Sequence, residues 1–352
     1  MSLLNSAELF SIFSFSLILS WLLVPILRKI AFKLSIVDVP NQEHKTHQVI
    51  MPYLGGFSII LPIVILASII PIYFKEDIGY YNRALSILAP ALFLATLGLV
   101  DDIRTLSAKS RFLIQSFVSV LITYYLVGIG FGVQITGISI IDFLISTVWL
   151  VGITNAFNFF DNLDGGAAGV SAISSLTVFY LAFLGEQYLI AALSLALAGS
   201  SLGFLYWNKH PARIYMGDSG SLFLGFLLAV ALLQFETNLE SRFVSALLPI
   251  FILALPIMDT TVVVFSRLSR GVSVFQGGQD HISHRLMYRG LTRSKTAFVL
   301  WALGLFFGST CILLTLAPVW SQKWISAGIL FFIAISIFKF SKQAFPDVKL
   351  KQ

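Results

Sequence analysis

At 352 residues, with 57% apolar and only 11% charged side chains, the chain carries less than half the roughly 25% charge of an ordinary soluble protein, which excludes that class. Its apolar residues run continuously instead of alternating, which excludes an outer-membrane barrel. The net charge of +6 is explained by loop topology, as set out below, so no nucleic-acid partner is expected.

The apolar runs recur at roughly 17 to 25 residues, the length needed to cross about 30 Å of hydrocarbon. In chain order they predict membrane helices near 8–27, 54–73, 84–100, 112–130, 141–160, 169–185, 188–207, 219–235, 245–266, 296–317 and 323–340. The fold class is therefore all-α: a polytopic integral membrane protein of about eleven spans in a lipid bilayer. The first run is full length and reads as a span, not as a cleavable signal. Residues 1–345 read as one polytopic domain and 346–352 as a tail; no internal repeat or low-complexity tract interrupts them. The single cysteine, Cys311, lies in a late span and reads as a packing residue.

Basic residues set the orientation. Of the 23 Lys and Arg, all but Lys75, Arg83, Arg242 and Lys323 fall on one side of this topology. That side is expected to be the cytoplasm, with the N-terminus outside and the C-terminus inside. The cytoplasmic loops are then 28–53, 101–111, 161–168, 208–218 and 267–295.

The polar clusters gather on that same side. Asp101-Asp102 ends the third span, and two adjacent carboxylates are relieved by a hard cation or a shared proton. Asn155-Ala-Phe-Asn158-Phe-Phe-Asp161-Asn162-Leu163-Asp164-Gly165-Gly166 ends the fifth, where acids at membrane depth point to a wet functional cavity. Asp161 and Asp164 are three apart and share a helical face, while the amides suit a nucleobase, a sugar or an acetamido group. Met216-Gly217-Asp218-Ser219-Gly220 opens the eighth span; Asp218 is either a helix cap or a metal ligand beside a helix terminus that attracts phosphate. Asp259, inside the ninth span after Pro256, needs a polar partner, either structural or within the site. His281 and His284 sit three apart in a basic loop with Arg285 and suit phosphate or sugar contacts. Carboxylate partners favour magnesium or manganese over zinc.

Taken together, these motifs resemble the polyprenyl-phosphate N-acetylhexosamine-1-phosphate transferases, membrane enzymes that start O-antigen, teichoic acid and related glycan synthesis. The likeness runs from Asp38 to Arg285 through Asp38-x-Pro-Asn, Lys45-x-His, Pro52-x-x-Gly-Gly, Asp101-Asp102, Asn155 to Gly165, Asn208 to Ser221 and the late histidine loop. It implies that Asp101 and Asp102 lie near Mg²⁺ (or Mn²⁺) and the acceptor phosphate, one of them as base. It also implies that Asp218 binds the metal, and that Lys45, Asn158, Asp161, Asp164, Asn208 and Tyr215 form the nucleotide pocket. His281 and His284, with Arg285, would contact the sugar phosphate. The implied partners are undecaprenyl phosphate and a UDP-N-acetylhexosamine, first of all UDP-GlcNAc, at the cytoplasmic face of the bacterial inner membrane, with a homodimer as an open expectation.

The chain departs from the family pattern at His44-Lys45, at Asp161-Asn162-Leu163-Asp164-Gly165 and at His281-Ile-Ser-His284-Arg285, which lacks an adjacent histidine pair. The last departure bears on donor identity. From other classes, an ion-coupled transporter would use Asp259 and Asp161 at the midplane, and a non-catalytic scaffold would tolerate loss of the acids.

Overall fold

A computed structural model describes residues 5–38, 50–73, 78–128, 132, 135–237, 239–275 and 277–343. Among them thirteen helices form: α1 (Ser6–Lys33), α2 (Gly56–Tyr73), α3 (Ile78–Arg104), α4 (Ala108–Gly128), α5 (Ser139–Phe160), α6 (Gly166–Leu184), α7 (Tyr188–Asn208), α8 (Gly217–Leu233), α9 (Arg242–Ile252), α10 (Ala254–Ser269), α11 (Ile282–Tyr288), α12 (Arg293–Leu316) and α13 (Val319–Ser341). A two-residue antiparallel hairpin, β1 (Val37–Asp38) with β2 (Met51–Pro52), links α1 to α2. The chain is an all-α, membrane-embedded protein.

Eight helices are long and apolar enough to cross a membrane: α1, α3, α4, α5, α6, α7, α12 and α13. Three of the expected spans take another form. In α2 and α8 the apolar stretches, Gly56–Ile70 and Gly217–Leu233, are shorter, and the run at 245–266 is split into α9 and α10, bent by 77°. Proline accounts for the split. A proline ring at 256 would clash with the carbonyl four residues earlier in a continuous helix, whereas in the first turn of a new one its missing N–H costs nothing. Leu253 is accordingly the hinge: it is the C-cap of α9, its amide bonding the Pro249 carbonyl at 3.1 Å, and the N-cap of α10. Two further differences lie in the loops. Asp101 and Asp102 fall within the last turn of α3, and α11 forms inside the expected 267–295 loop.

The core is built around α8. It is apolar on all sides, as a helix must be that has neighbours all round, and from Gly217 to Leu232 only Asp218 is not buried. Helices α2, α3 and α5 pack against it. A second tight pair is α1 with α7. A Cβ at Gly199 would lie 2.6 Å from the Phe13 carbonyl, so only glycine admits this approach, and the Ser20 hydroxyl donates to the Ser200 carbonyl at 2.8 Å. Small residues and hydroxyls are what membrane helices use to associate, since lipid tails are as apolar as leucine. Leu113, Phe117, Leu121 and Tyr124 of α4 are exposed, an outward apolar face suited to lipid. The net result is that the C-terminal ends of α3, α5 and α10 meet the N-terminal ends of α2, α8 and α12 at one end of the bundle.

Candidate active site

The floor of the site is a seam between the start of α2 and the start of α8. The Tyr215 amide donates to the Pro52 carbonyl at 2.8 Å, Gly55 to the Tyr215 carbonyl at 3.0 Å, and Gly56 to the Met216 carbonyl at 2.9 Å. Onto this seam comes the end of α3. Gly98 lets α3 lie against the backbone of Asp218 and Ser219, where any Cβ would overlap it. Gly217 holds a φ of +73°, which disfavours any side chain, and a Cβ there would sit 2.6 Å from Asp102 Oδ2.

This approach decides what each acid of the pair does. Asp102 accepts from the backbone amides of Asp218 at 2.9 Å and Ser219 at 3.3 Å. It therefore caps α8 from a neighbouring helix, satisfying amides that have no partner in the first turn. Asp218, read from sequence as either cap or ligand, is thereby left free to act through its side chain. Its Oδ1 accepts from Asn158 Nδ2 at 2.8 Å, and its Oδ2 meets Arg111 Nη1. The same nitrogen of Arg111 meets Asp101 Oδ2, while Asp101 Oδ1 accepts from the Leu106 amide at 2.5 Å. Two carboxylate oxygens from different helices thus converge on one cationic nitrogen.

The convergence tests the expected metal. Among the described residues, no group of three or more His, Cys, Asp or Glu could hold an ion by itself. Mg²⁺ does not require one: it dehydrates reluctantly and is commonly held by one or two carboxylates plus substrate phosphates. Asp101 and Asp218, with Arg111 occupying the point between them, fit that donor set, and Mn²⁺ would use the same oxygens.

Beside Asp218 opens a cavity of about 340 Å³. Asn158, Asp161, Asn162 and Asp164 line it from the end of α5 and just beyond, Tyr53 and Asp38 from the hairpin side, Asn208 from the end of α7, Tyr215 from the α7–α8 loop, and His284, Met287 and Arg293 from the far side. Burial pushes the Asp161 carboxyl up to about 7, with the charges of Asp218 and Asp164 adding to the effect. Burial and the carboxylate of Asp164 also raise the Tyr215 phenol, so it remains a donor at neutral pH.

Two of the cavity residues also brace its walls. Asp164 Oδ2 meets His210 Nδ1 at 2.7 Å and accepts from the Ala212 amide at 3.2 Å. Asn208 accepts from the Gly165 amide and donates to the Ile214 carbonyl, both at 3.0 Å, which straps the end of α7 to the start of α6.

The histidine loop is clamped to the end of α10. Asp280 takes Arg267 at 3.0 and 2.7 Å and Arg270 at 2.8 Å. Burial would raise its carboxyl, but the hydrogen bonds and charge of Arg267 outweigh that and hold it low. His281 caps α11 and pairs through Nδ1 with Asp259 Oδ2 at 2.7 Å. His284 reaches the cavity with its Nδ1 buried and without a hydrogen-bond partner among the described residues. Burial pushes its imidazole down to about 4, so it is neutral at pH 7.

A family model described as glycosyl transferase family 4 matches residues 84–236, the stretch from α3 to α8 that carries every acid around Arg111. A probable undecaprenyl-phosphate N-acetylglucosaminyl 1-phosphate transferase of Bacillus subtilis (strain 168) is 35% identical over 336 residues, covering 92% of this chain and 89% of the relative. The chain belongs to this family of polyprenyl-phosphate sugar-1-phosphate transferases. Further family members are an undecaprenyl-phosphate alpha-N-acetylglucosaminyl 1-phosphate transferase of Escherichia coli (strain K12), 30% identical over 84% of this chain and 79% of the relative, and a decaprenyl-phosphate N-acetylglucosaminephosphotransferase of Mycobacterium tuberculosis (strain H37Rv), 31% identical over 78% and 74%.

The structure brings most of the expected family residues together. Asp101, Asp218, Asn158, Asp161, Asp164, Asn208, Tyr215 and His284 line the cavity or border its acidic end; Lys45 lies outside the described residues. Arg285 is a correction. It is fully buried, donating to the carbonyls of Asp280 (2.8 Å), Phe340 (2.7 Å) and Gln343 (3.0 Å) and to Ser266 Oγ (2.8 Å). It ties the histidine loop to the end of α13 and is absent from the cavity wall, because its guanidinium donors go to these acceptors, two of them carbonyls that the end of α13 leaves open.

Asp102, expected beside the metal, is placed as a cap of α8, next to Asp218. In the sequence Arg111 and Arg293 are legible only as topology markers; the closeness of Arg111 to Asp101-Asp102 is the available signal. Asp38 opens the family motif of the first loop and Tyr53 is an unspecified position of its Pro52-x-x-Gly-Gly stretch, so the motif holds both without giving either a role.

Proposed function

We propose that this protein transfers N-acetylglucosamine 1-phosphate from UDP-GlcNAc to undecaprenyl phosphate, releasing UMP and starting a lipid-linked cell-surface glycan. The observation that carries the proposal is the convergence of Asp101 and Asp218 on one cationic point at the edge of a polar cavity sized for part of a nucleotide sugar. The names of the relatives, all transferases of N-acetylglucosamine phosphate to a polyprenyl phosphate, support the same donor. Other UDP-N-acetylhexosamines are the alternative, since a changed hydroxyl alters only a few contacts.

In this reading an oxygen of the lipid phosphate attacks the β-phosphorus of the donor. A P–O bond forms there as the bond to the bridging oxygen breaks, and the electron pair leaves with UMP. The lipid phosphate is largely ionised near pH 7, so little is asked of a base. Asp101 is the better placed of the acid pair to orient it, because its Oδ2 faces Arg111 beside Asp218, whereas Asp102 is turned to the backbone of α8. Asp101 and Asp218 would hold the Mg²⁺, which when bound supplies Lewis-acid stabilisation of the diphosphate charge. Asn158 fixes the rotamer of Asp218 through its 2.8 Å bond. Arg111 and Arg293 supply positive charge at either end of the cavity for the phosphates. The neutral His284 and the phenol of Tyr215 offer hydrogen bonds to the uridine or the sugar.

The proposed setting is the inner membrane with the cavity on the cytoplasmic face, where nucleotide sugars are made. The distribution of Lys and Arg supports that orientation, with α2, α8 and the α9–α10 pair counted as crossings to give eleven, the N-terminus outside and the C-terminus inside.

The test is a transfer assay on purified protein with undecaprenyl phosphate, Mg²⁺ and a panel of UDP-sugars, reading UMP and lipid product together. UDP-GlcNAc should give product, EDTA should abolish it, and Asp218→Ala should lower the rate by at least about 100-fold. Folded protein that releases no UMP with any donor would overturn the proposal.

A further inference from the structure

Asp259 is a fully buried carboxylate in α10, and it makes no contact with Arg111 among the described residues. A carboxylate at that depth costs several kcal/mol unless it is paired. Both its oxygens are engaged with the histidine loop. Oδ1 accepts from the Ile282 amide at 2.6 Å, and Oδ2 meets His281 Nδ1 at 2.7 Å. The first contact satisfies an amide in the first turn of α11, whose own N-cap, His281, makes no side-chain cap bond. The second bears on chemistry. A carboxylate can only accept, so the proton of this bond sits on Nδ1. His281 Nε2 has no partner among the described residues, and Phe159 packs edge-on to the ring at 6.4 Å. His284, which lines the cavity, lies 5.7 Å from it, ring centre to ring centre. Between the two histidines, Ser283 bonds to Asn162 of the cavity wall.

We propose that Asp259 is a positioning residue that locks His281 in the Nδ1–H form, so that Nε2, on a ring next to His284 of the cavity wall, is left as a hydrogen-bond acceptor for a hydroxyl or acetamido N–H of the donor sugar. This deepens the transferase reading and rests on it: the loop would recognise the sugar through a lone pair, complementing the arginines, which recognise phosphate. The substitution that isolates the role is Asp259→Asn. The amide oxygen can still accept from Ile282, which preserves the cap, while its NH₂ group faces His281 and drives the proton to Nε2.

The chain has five histidines, so ¹⁵N-histidine labelling of the protein in detergent gives few enough signals to assign by substitution. The wild type should show His281 protonated at Nδ1, and Asp259→Asn should show it at Nε2. In the transfer assay, Asp259→Asn should lower kcat/KM for UDP-GlcNAc by about 100-fold, with unfolding temperature nearly unchanged. In a His281→Gln background the same substitution should cost less than about 2-fold, because its effect runs through the ring. An Nε2–H tautomer in the wild type overturns the proposal, and that spectrum decides the matter alone should Asp259→Asn fail to fold. An undiminished penalty in the His281→Gln background, or full activity of His281→Gln, also overturns it. By contrast, a locked Nδ1–H tautomer in protein that transfers no sugar phosphate would overturn the transferase reading and leave the lock standing.

Discussion

Asp102→Asn and Asp102→Ala separate a cap from a catalyst. In the structure Asp102 accepts two backbone bonds, from Asp218 at 2.9 Å and Ser219 at 3.3 Å, and places its charge at the N-terminus of α8. Removing a cap acceptor costs about 1 kcal/mol, the second bond a similar amount, and the charge–dipole attraction about 0.3–1 kcal/mol. Asp102→Ala should therefore lose about 2–3 kcal/mol. Asp102→Asn, which keeps one acceptor oxygen, should lose about 1–2 kcal/mol. Stability can be followed by a thiol-reactive dye, because Cys311 is buried and is the single cysteine. In the transfer assay, folded Asp102→Asn should retain at least about a tenth of the wild-type rate, whereas Asp101→Asn and Asp218→Asn should each fall by about 100-fold or more. If Asp102→Asn keeps the wild-type unfolding temperature yet is as inactive as Asp218→Asn, then Asp102 acts on the substrates and the capping argument fails.

Gly98→Ala places a methyl against the backbone of Asp218 and Ser219; forcing α3 from α8 should cost about 1–3 kcal/mol and lower kcat more than it raises KM, measurable by initial rates and thermal unfolding. Arg111→Ala should lower the Mg²⁺ concentration giving half-maximal activity while reducing the maximal rate, because the metal no longer displaces a guanidinium; a Mg²⁺ titration with an unchanged or higher midpoint would contradict this. His284 is held neutral with its imidazole near 4 against about 6.5 in an unfolded chain. Its depressed value means that its contribution is complete above pH 6.5 and is lost as pH falls toward 4. That loss amounts to at most about 3 kcal/mol, so unfolding temperatures across that window should fall less steeply in His284→Gln than in the wild type.

Much of this protein was legible in one dimension. Continuous apolar runs force membrane helices because a backbone in lipid has no other way to satisfy its polar groups, and clusters such as Asp161–Asp164 and Asp218 announce themselves because charge has no bulk reason to end a span. Composition and local spacing carry that kind of information.

Which oxygen meets which nitrogen is not local, and there the tertiary structure decided. Asp101 and Asp102 are neighbours of the same type, yet the close approach that Gly98 and Gly217 allow turns one to Arg111 and the other to the amides of α8. Arg285 sits in the same loop as His284, but the end of α13, more than fifty residues away, claims its guanidinium. Asp259 looked isolated until the α9–α10 bend brought His281 to it. Residue type limits what a side chain can do, and only packing between distant segments selects the partner it does it with.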